Sequence, residues 1–204
     1  MALIKQLINP NNENFFKFKS YANGNEIDWK YQSNSIPPNS RYELPKKYGS
    51  VRNYKNVPFY SHTIFDRPWF YDMNDPLRTL NPEGNMFPTV HNEHTFDEYI
   101  RPFLYDFMLE NKGTEECRIN CILRCNLNCC HSEVQGFSIP HKDHFFPHRN
   151  MLFYLNDAGG ETVVGDEHFS PKEGDIITFD SSEFHYMHPP KSGRRIIMVL
   201  TYIQ

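Results

Sequence analysis

Between residues 96 and 108 the apolar positions recur with a helical period. Phe96, Tyr99, Ile100, Phe103, Leu104, Phe107 and Met108 fall at the i, i+3, i+4, i+7 spacing that gathers side chains on one buried face. Thr95, with Glu98 three residues on, reads as a capping box, and Gly113 reads as a stop. The pattern predicts a helix over 96–112. Pro102 lies inside it and is expected to kink it, because the ring cannot continue the backbone hydrogen bonding.

From Cys117 the period falls to two. Cys117, Ile119, Cys121, Leu123, Cys125, Leu127 and Cys129 alternate with Arg118, Asn120, Ile122, Arg124, Asn126 and Asn128. Successive side chains on a strand point to opposite faces, so this reads as a strand with one apolar and one largely polar face. The apolar face is expected to pack on the 96–112 helix. The opposite face then turns into a barrel, which places Arg124 and Asn126 on the wall of an active-site cavity. Further strands are predicted at 137–143, 150–156, 161–164, 174–180 and 195–203, punctuated by Gly, Pro, Asp and Asn. One long helix followed by many short strands predicts a mainly β fold with supporting helices.

The cysteines allow a rival reading. Their spacing of four would also align thiols on one helix face, as for a metal or Fe–S cluster. Ile119, Leu123 and Leu127 fill the gaps at strand period, however, and buried Cys behaves as a small hydrophobe.

The first 95 residues are loop-rich. Pro37, Pro38, Pro45, Pro58, Pro68, Pro76, Pro82 and Pro88 interrupt them, and Trp29, Tyr54, Phe59, Tyr60, Trp69 and Phe70 stud them. That is too aromatic for ordinary disorder and suggests an ordered wrap or lid. The 204 residues suit a single domain: 1–116 as the wrap plus its helix, 117–204 as a β core. The net charge of −4 gives no global pull toward nucleic acid, which is disfavoured as a partner. The first residues carry too short an apolar run for a signal peptide, and no run approaches the roughly 18 apolar residues of a membrane span. Five cysteines make an odd count, which fits reduced thiols in the cytoplasm better than a disulfide framework.

His141-Lys142-Asp143 carries candidate chemistry. On a strand, residues two apart share a face, so an imidazole and a carboxylate could meet one metal. Two His and one carboxylate, with open positions left over, suit oxygen-activating Fe(II). The second His must come from a later strand, and His185 and His188 both qualify. Arg195 opens the last apolar strand and could grip a carboxylate. These spacings are weak alone, since His91/Glu93 and His131/Glu133 have the same form.

Context strengthens them. From about Arg118 onward the chain resembles 2-oxoglutarate/Fe(II) dioxygenases, above all the prolyl 4-hydroxylase-like group with its small phage- and virus-encoded members. The resemblance is carried by His141-Lys142-Asp143, Tyr154-Leu155-Asn156-Asp157, Gly159-Gly160-Glu161-Thr162, Pro171-Lys172-Glu173-Gly174-Asp175 with Phe179, His185, and Gly193-Arg194-Arg195. Residues 1–116 lie outside it. It implies a double-stranded β-helix, or jelly-roll, core. It implies Fe(II) held by His141, Asp143 and His185, with 2-oxoglutarate and O2 as cosubstrates. Arg195, or its neighbour Arg194, would bind the distal carboxylate of 2-oxoglutarate, assisted by Tyr154. The implied reaction couples decarboxylation of 2-oxoglutarate to succinate with hydroxylation of a substrate C–H. Asp143 as a ligand leaves no place for halide, which favours hydroxylation over halogenation.

The implied substrate is a prolyl or other amino-acid side chain; a small metabolite or nucleobase is the alternative within enzymes. A non-catalytic, cupin-like metal protein and a cysteine-cluster redox protein are the rivals outside that class.

Overall fold

The computed structural model describes residues 4–6, 8–9, 11–33, 35, 43–50, 54, 57–66, 88–144 and 146–204. Pro37, Pro38, Pro68, Pro76, Pro82, Trp69 and Phe70 lie outside these.

The strands are β1 (Ile4–Gln6), β2 (Lys30–Gln32), β3 (Phe59–Asp66), β4 (Thr89–Val90), β5 (Cys121–His131), β6 (Arg149–Tyr154), β7 (Glu161–Val164), β8 (Glu167–Phe169), β9 (Ile176–Asp180), β10 (His185–His188) and β11 (Arg194–Ile203). Among the described residues they form two antiparallel sheets. The larger runs β1-β9-β6-β11-β5-β3-β2, with β4 paired to β3; the smaller runs β10-β7-β8. Two facing antiparallel sheets with helices on one outer side make the expected jelly roll.

The long helix starts earlier than its pattern suggests. Asn92, not Thr95, is the cap: its side chain accepts from the Thr95 N–H at 3.0 Å. The Thr95 hydroxyl instead meets the Tyr21 hydroxyl at 2.8 Å. The helix has three parts, α2 (Glu93–Thr95), a π-helical turn (Phe96–Ile100) and α3 (Arg101–Glu110). The wide turn lies just before Pro102, where the missing N–H and the ring would disrupt an α-helical turn. Gly113, at φ +97°, falls beyond the helix end.

A second helix, α1 (Glu13–Asn23), was not predicted. Asn12 caps it by accepting from the Phe15 N–H at 2.8 Å, and Phe15, Phe18 and Ala22 are buried. The Phe103 and Phe153 rings stack at 4.4 Å with 6° between planes, and Phe18 packs on both. Helices and sheet thus share one aromatic core with Cys125, Leu127, Cys129, Met198 and Leu200. A second core, with Leu152, Tyr154, Val164, Ile177, Phe179 and Val199, lies between the sheets.

Two strand predictions need correction. The first strand begins at Cys121, and residues 115–117 form a 3-10 turn that still buries Cys117. Along β11, Thr201 pairs with Arg124 but Tyr202 pairs with Ile122, so Leu123 is an extra residue. That bulge flips the alternation, exposing Cys121 and turning Ile122 toward the helices. From Cys125 to Cys129 the apolar face packs beside the helix as expected. Residues 137–143 are not a strand: His141 forms an isolated bridge to His185, and the Ser138 N–H donates to the Met187 carbonyl at 2.9 Å. The predicted 150–156, 174–180 and 195–203 strands appear as β6, β9 and β11, and 161–164 as β7. Burial pushes the Cys125 thiol up to about 12 and that of Cys130 up to about 11, so both stay protonated and pack as hydrophobes. No helix among the described residues is long and apolar enough to cross a membrane.

Gly160, in the Gly-Gly-Glu-Thr segment before β7, sits at φ +84° with the His188 and Pro189 carbonyl oxygens 2.7 Å from where a Cβ would be. Both the backbone conformation and the space require glycine. Gly160→Ala is expected to destabilise the fold by at least about 1 kcal/mol, read from urea unfolding.

Candidate metal centre

His141 and His185 are clamped side by side by reciprocal backbone hydrogen bonds, each 3.0 Å long. Their ring centroids lie 4.4 Å apart. Asp143, 3% exposed, stands beside them, and one donor atom from each of His141, Asp143 and His185 lies within 4.8 Å of the others. The structure thus brings the three predicted side chains together, although the segment carrying two of them is a loop rather than a strand.

Neighbouring groups hold the two rings. His141 Nδ1 faces the Ile139 carbonyl oxygen at 2.8 Å. A carbonyl only accepts, so Nδ1 carries the hydrogen and Nε2 is the nitrogen that would face a metal. Burial, with His141 next in effect, pushes His185 down to about 3, so its ring is neutral. Its Nε2 approaches Asp143 Oδ2 at 3.3 Å, which is then no ion pair. Its Nδ1 is buried without a hydrogen-bond partner among the described residues. Two imidazoles converging with a carboxylate form a donor set that fits Fe(II).

Arg124 holds the carboxylate. Its Nη1 donates to Asp143 Oδ1 at 2.7 Å, leaving Oδ2 toward His185. Asn126 stands behind Arg124. With its amide oxygen turned toward the guanidinium, it accepts from Nη2 at 2.9 Å and Nε at 3.2 Å while its nitrogen donates to the Cys125 carbonyl at 2.8 Å. Arg124 lines the cavity; Asn126, 5% exposed, does not. The expectation for Asn126 is corrected accordingly: it props a cavity residue instead of facing a ligand.

The cavity runs from the three donors to Arg195, between walls that include Leu152, Thr162, Ile197 and Val199. Strand alternation separates the two arginines. Arg194 points to the helical side, where Nη2 donates to the Asn23 carbonyl at 2.8 Å. Arg195 points inward and is 3% exposed. It donates to the Glu161 carbonyl at 3.2 Å and contacts Met187 Sδ at 2.9 Å, and no carboxylate pairs with it among the described residues. Burial lowers its pKa, yet a guanidinium stays charged in proteins. An unneutralised buried cation facing a cavity marks an anion site.

Tyr154 does not reach the cavity directly. Its hydroxyl donates to Thr162 Oγ1 at 2.7 Å, and its ring lies 6.0 Å from the Arg195 guanidinium carbon. Burial pushes the phenol up to about 12. Thr162 is a cavity residue that the sequence reading missed, as is Met187. Period two from His185 would have found Met187.

The remaining histidines divide. His144 Nε2 meets the Thr201 hydroxyl at 2.8 Å, and His148 Nδ1 donates to the Phe146 carbonyl at 2.7 Å; both are buried. Burial lowers the pKa of His148. Unfolding would expose the His148 and His185 rings, which then take up protons below about pH 6.5, whereas folded His185 resists until about 3. The metal-free protein should therefore keep full stability above about pH 6.5. It should lose up to about 1.4 kcal/mol per ring per pH unit on acidification, measured as a falling urea midpoint.

No protein-family model matches the sequence, and no curated protein matches it. Solved structures do. An oxidoreductase of the 2OG-Fe(II) oxygenase family from Burkholderia pseudomallei is similar over 87% of this chain and 74% of its own, at 15% identity and a TM-score of 0.55. A prolyl-4-hydroxylase from Pseudomonas putida is similar over 100% of this chain and 93% of its own, at 11% identity and a TM-score of 0.55. At such identities the likeness is one of fold: the chain has the jelly-roll fold of the 2OG-Fe(II) oxygenases and prolyl 4-hydroxylases, the group its own motifs resemble.

Proposed function

We propose that the protein is an Fe(II)- and 2-oxoglutarate-dependent dioxygenase that hydroxylates a substrate C–H. The observation that carries this reading is one cavity with both halves of the required chemistry. Three convergent donors, His141, Asp143 and His185, stand at one end, and a buried cation with no carboxylate partner among the described residues, Arg195, stands at the other. Iron and 2-oxoglutarate would supply the O2-dependent oxidation, releasing succinate and CO2.

The side chains divide the remaining work. His141 and His185 present ring nitrogens, and Arg124 fixes the carboxylate rotamer of Asp143. Arg195 binds the distal carboxylate of 2-oxoglutarate, and Tyr154 steadies that end through Thr162. Leu152, Ile197 and Val199 keep water from the reacting groups. A carboxylate as third ligand supports hydroxylation over halogenation.

The proposed substrate is a prolyl or other amino-acid side chain. Support comes from the prolyl-4-hydroxylase fold likeness and from the aromatic surroundings of the cavity, where Phe59 and Tyr186 line the wall and Phe137 packs on Tyr54 and Tyr186. The test is succinate release from 2-oxoglutarate under Fe(II) and air, screened against peptides, free amino acids and small metabolites. Release abolished by His141→Ala is the expected result. Iron binding without any release would mean a non-catalytic metal protein instead.

A further inference from the structure

A second group of metal-binding side chains lies on the opposite face of the small sheet. Glu161 in β7 and His188 in β10 are cross-strand partners, and His168 in β8 stands opposite Val163. Thr162, His185 and Met187 point into the cavity, so alternation turns Glu161, His168 and His188 to the outer face. One donor atom from each of the three lies within 4.8 Å of the others. Among the described residues, only His141, Asp143 and His185 form another such group.

Two backbone ladders fix the three Cα positions, so the donors converge without rearrangement of the chain. The His188 ring is packed against Phe137 at 5.5 Å and Tyr186 at 5.7 Å, which restricts it. The His168 ring lies 6.4 Å from that of His188 at 22° between planes, and its Nδ1 is 3.2 Å from Glu161 Oε2. The hydrogen bond to His168, aided by the charges of His168, His188 and Lys191, holds the Glu161 carboxyl below the usual range, so it is ionised.

We infer that Glu161, His168 and His188 form a second site, for a divalent transition-metal ion of the zinc type. Two imidazoles and one carboxylate suit Zn2+, Ni2+ or Cu2+, whereas Mg2+ and Ca2+ prefer oxygen donors. The side chains of His168 and Glu161 are 56% and 36% exposed, so an ion arrives directly from solvent and water completes its coordination. The Glu161 carbonyl accepts from Arg195 on the cavity side. An ion on the outer face would therefore brace the strand that seats that arginine. The site shares no ligand with His141, Asp143 and His185.

The test is calorimetric titration of the full-length, tag-free, chelator-stripped protein with Zn2+ or Ni2+. Wild-type protein is expected to take up two equivalents. His168→Ala/His188→Ala protein should take up one, and so should His141→Ala protein, which retains the outer site. Circular dichroism verifies that each variant is folded, and Glu161→Gln, the least invasive change, should weaken the second equivalent alone. Absence of any uptake by His141→Ala protein overturns the inference, as does a second equivalent that survives His168→Ala/His188→Ala. A single wild-type equivalent that is kept in His141→Ala and lost in His168→Ala/His188→Ala supports the outer site and counts against the proposed iron centre alone.

Discussion

Asp143→Ala protein is expected to lose iron and turnover together, and to lose about 3–5 kcal/mol of stability as well. The first loss follows from the donor set. Removing the carboxylate takes away one of three ligands and the negative charge that offsets that of Fe(II). The second follows from Arg124. Its Nη1 donates to Asp143 Oδ1 at 2.7 Å, and the Arg124 side chain is only 14% exposed. Without the carboxylate a buried guanidinium is left uncompensated, and that desolvation cost exceeds the value of the pair itself. The two effects separate in a double-mutant cycle. Arg124→Met added to Asp143→Ala should recover most of the stability by urea unfolding, because the stranded charge is gone. It should recover neither iron retention after dialysis nor 2-oxoglutarate turnover. Recovery of iron by the double variant would contradict the assignment of Asp143 as a ligand.

Arg195→Met should act in the opposite sense on stability. Arg195 is 3% exposed, and its hydrogen-bond partners among the described residues are a carbonyl and a thioether. Replacing a buried, unneutralised cation by an apolar chain of similar length is expected to leave the unfolding midpoint unchanged or raise it. The cost falls on the ligand. A desolvated guanidinium–carboxylate pair contributes about 2 kcal/mol or more, so 2-oxoglutarate affinity should fall at least about thirtyfold. Anaerobic calorimetry on Mn2+-loaded protein reads this without turnover, and the metal content should stay at the wild-type level. Tyr154→Phe should weaken the same affinity by less than about tenfold, since its hydroxyl bonds Thr162 and acts on the ligand at one remove. Equal losses in the two variants would show that Tyr154 touches the ligand.

Much of this was legible along the chain because local physics dictates it. The 3.6-residue rhythm from Phe96 to Met108 required a helix with one buried face. The strict alternation around Cys125, Leu127 and Cys129 required a strand packed against something apolar. Errors arose where long-range pairing overrode the local pattern. The extra residue at Leu123 shifts the register against β11, a fact that depends on a strand some 70 residues later. His141 is held in an extended geometry by His185 rather than by a strand of its own. The helix α1 went unseen because its apolar positions, Phe15, Phe18 and Ala22, are sparse among polar residues.

The order of side chains by itself determined the fold class, the long helix, the inward and outward faces of most strands, and a short set of residues able to bind a metal. It left open which histidine and which arginine face the cavity, since His185 and His188, or Arg194 and Arg195, are chemically alike. Tertiary structure decided those choices. A two-residue period sends adjacent positions to opposite sides of a sheet, but only the packing of that sheet, helices on one side and cavity on the other, says which side is which. The same packing placed Arg124 against Asp143 and gathered Glu161, His168 and His188, contacts between strands that no local rule connects.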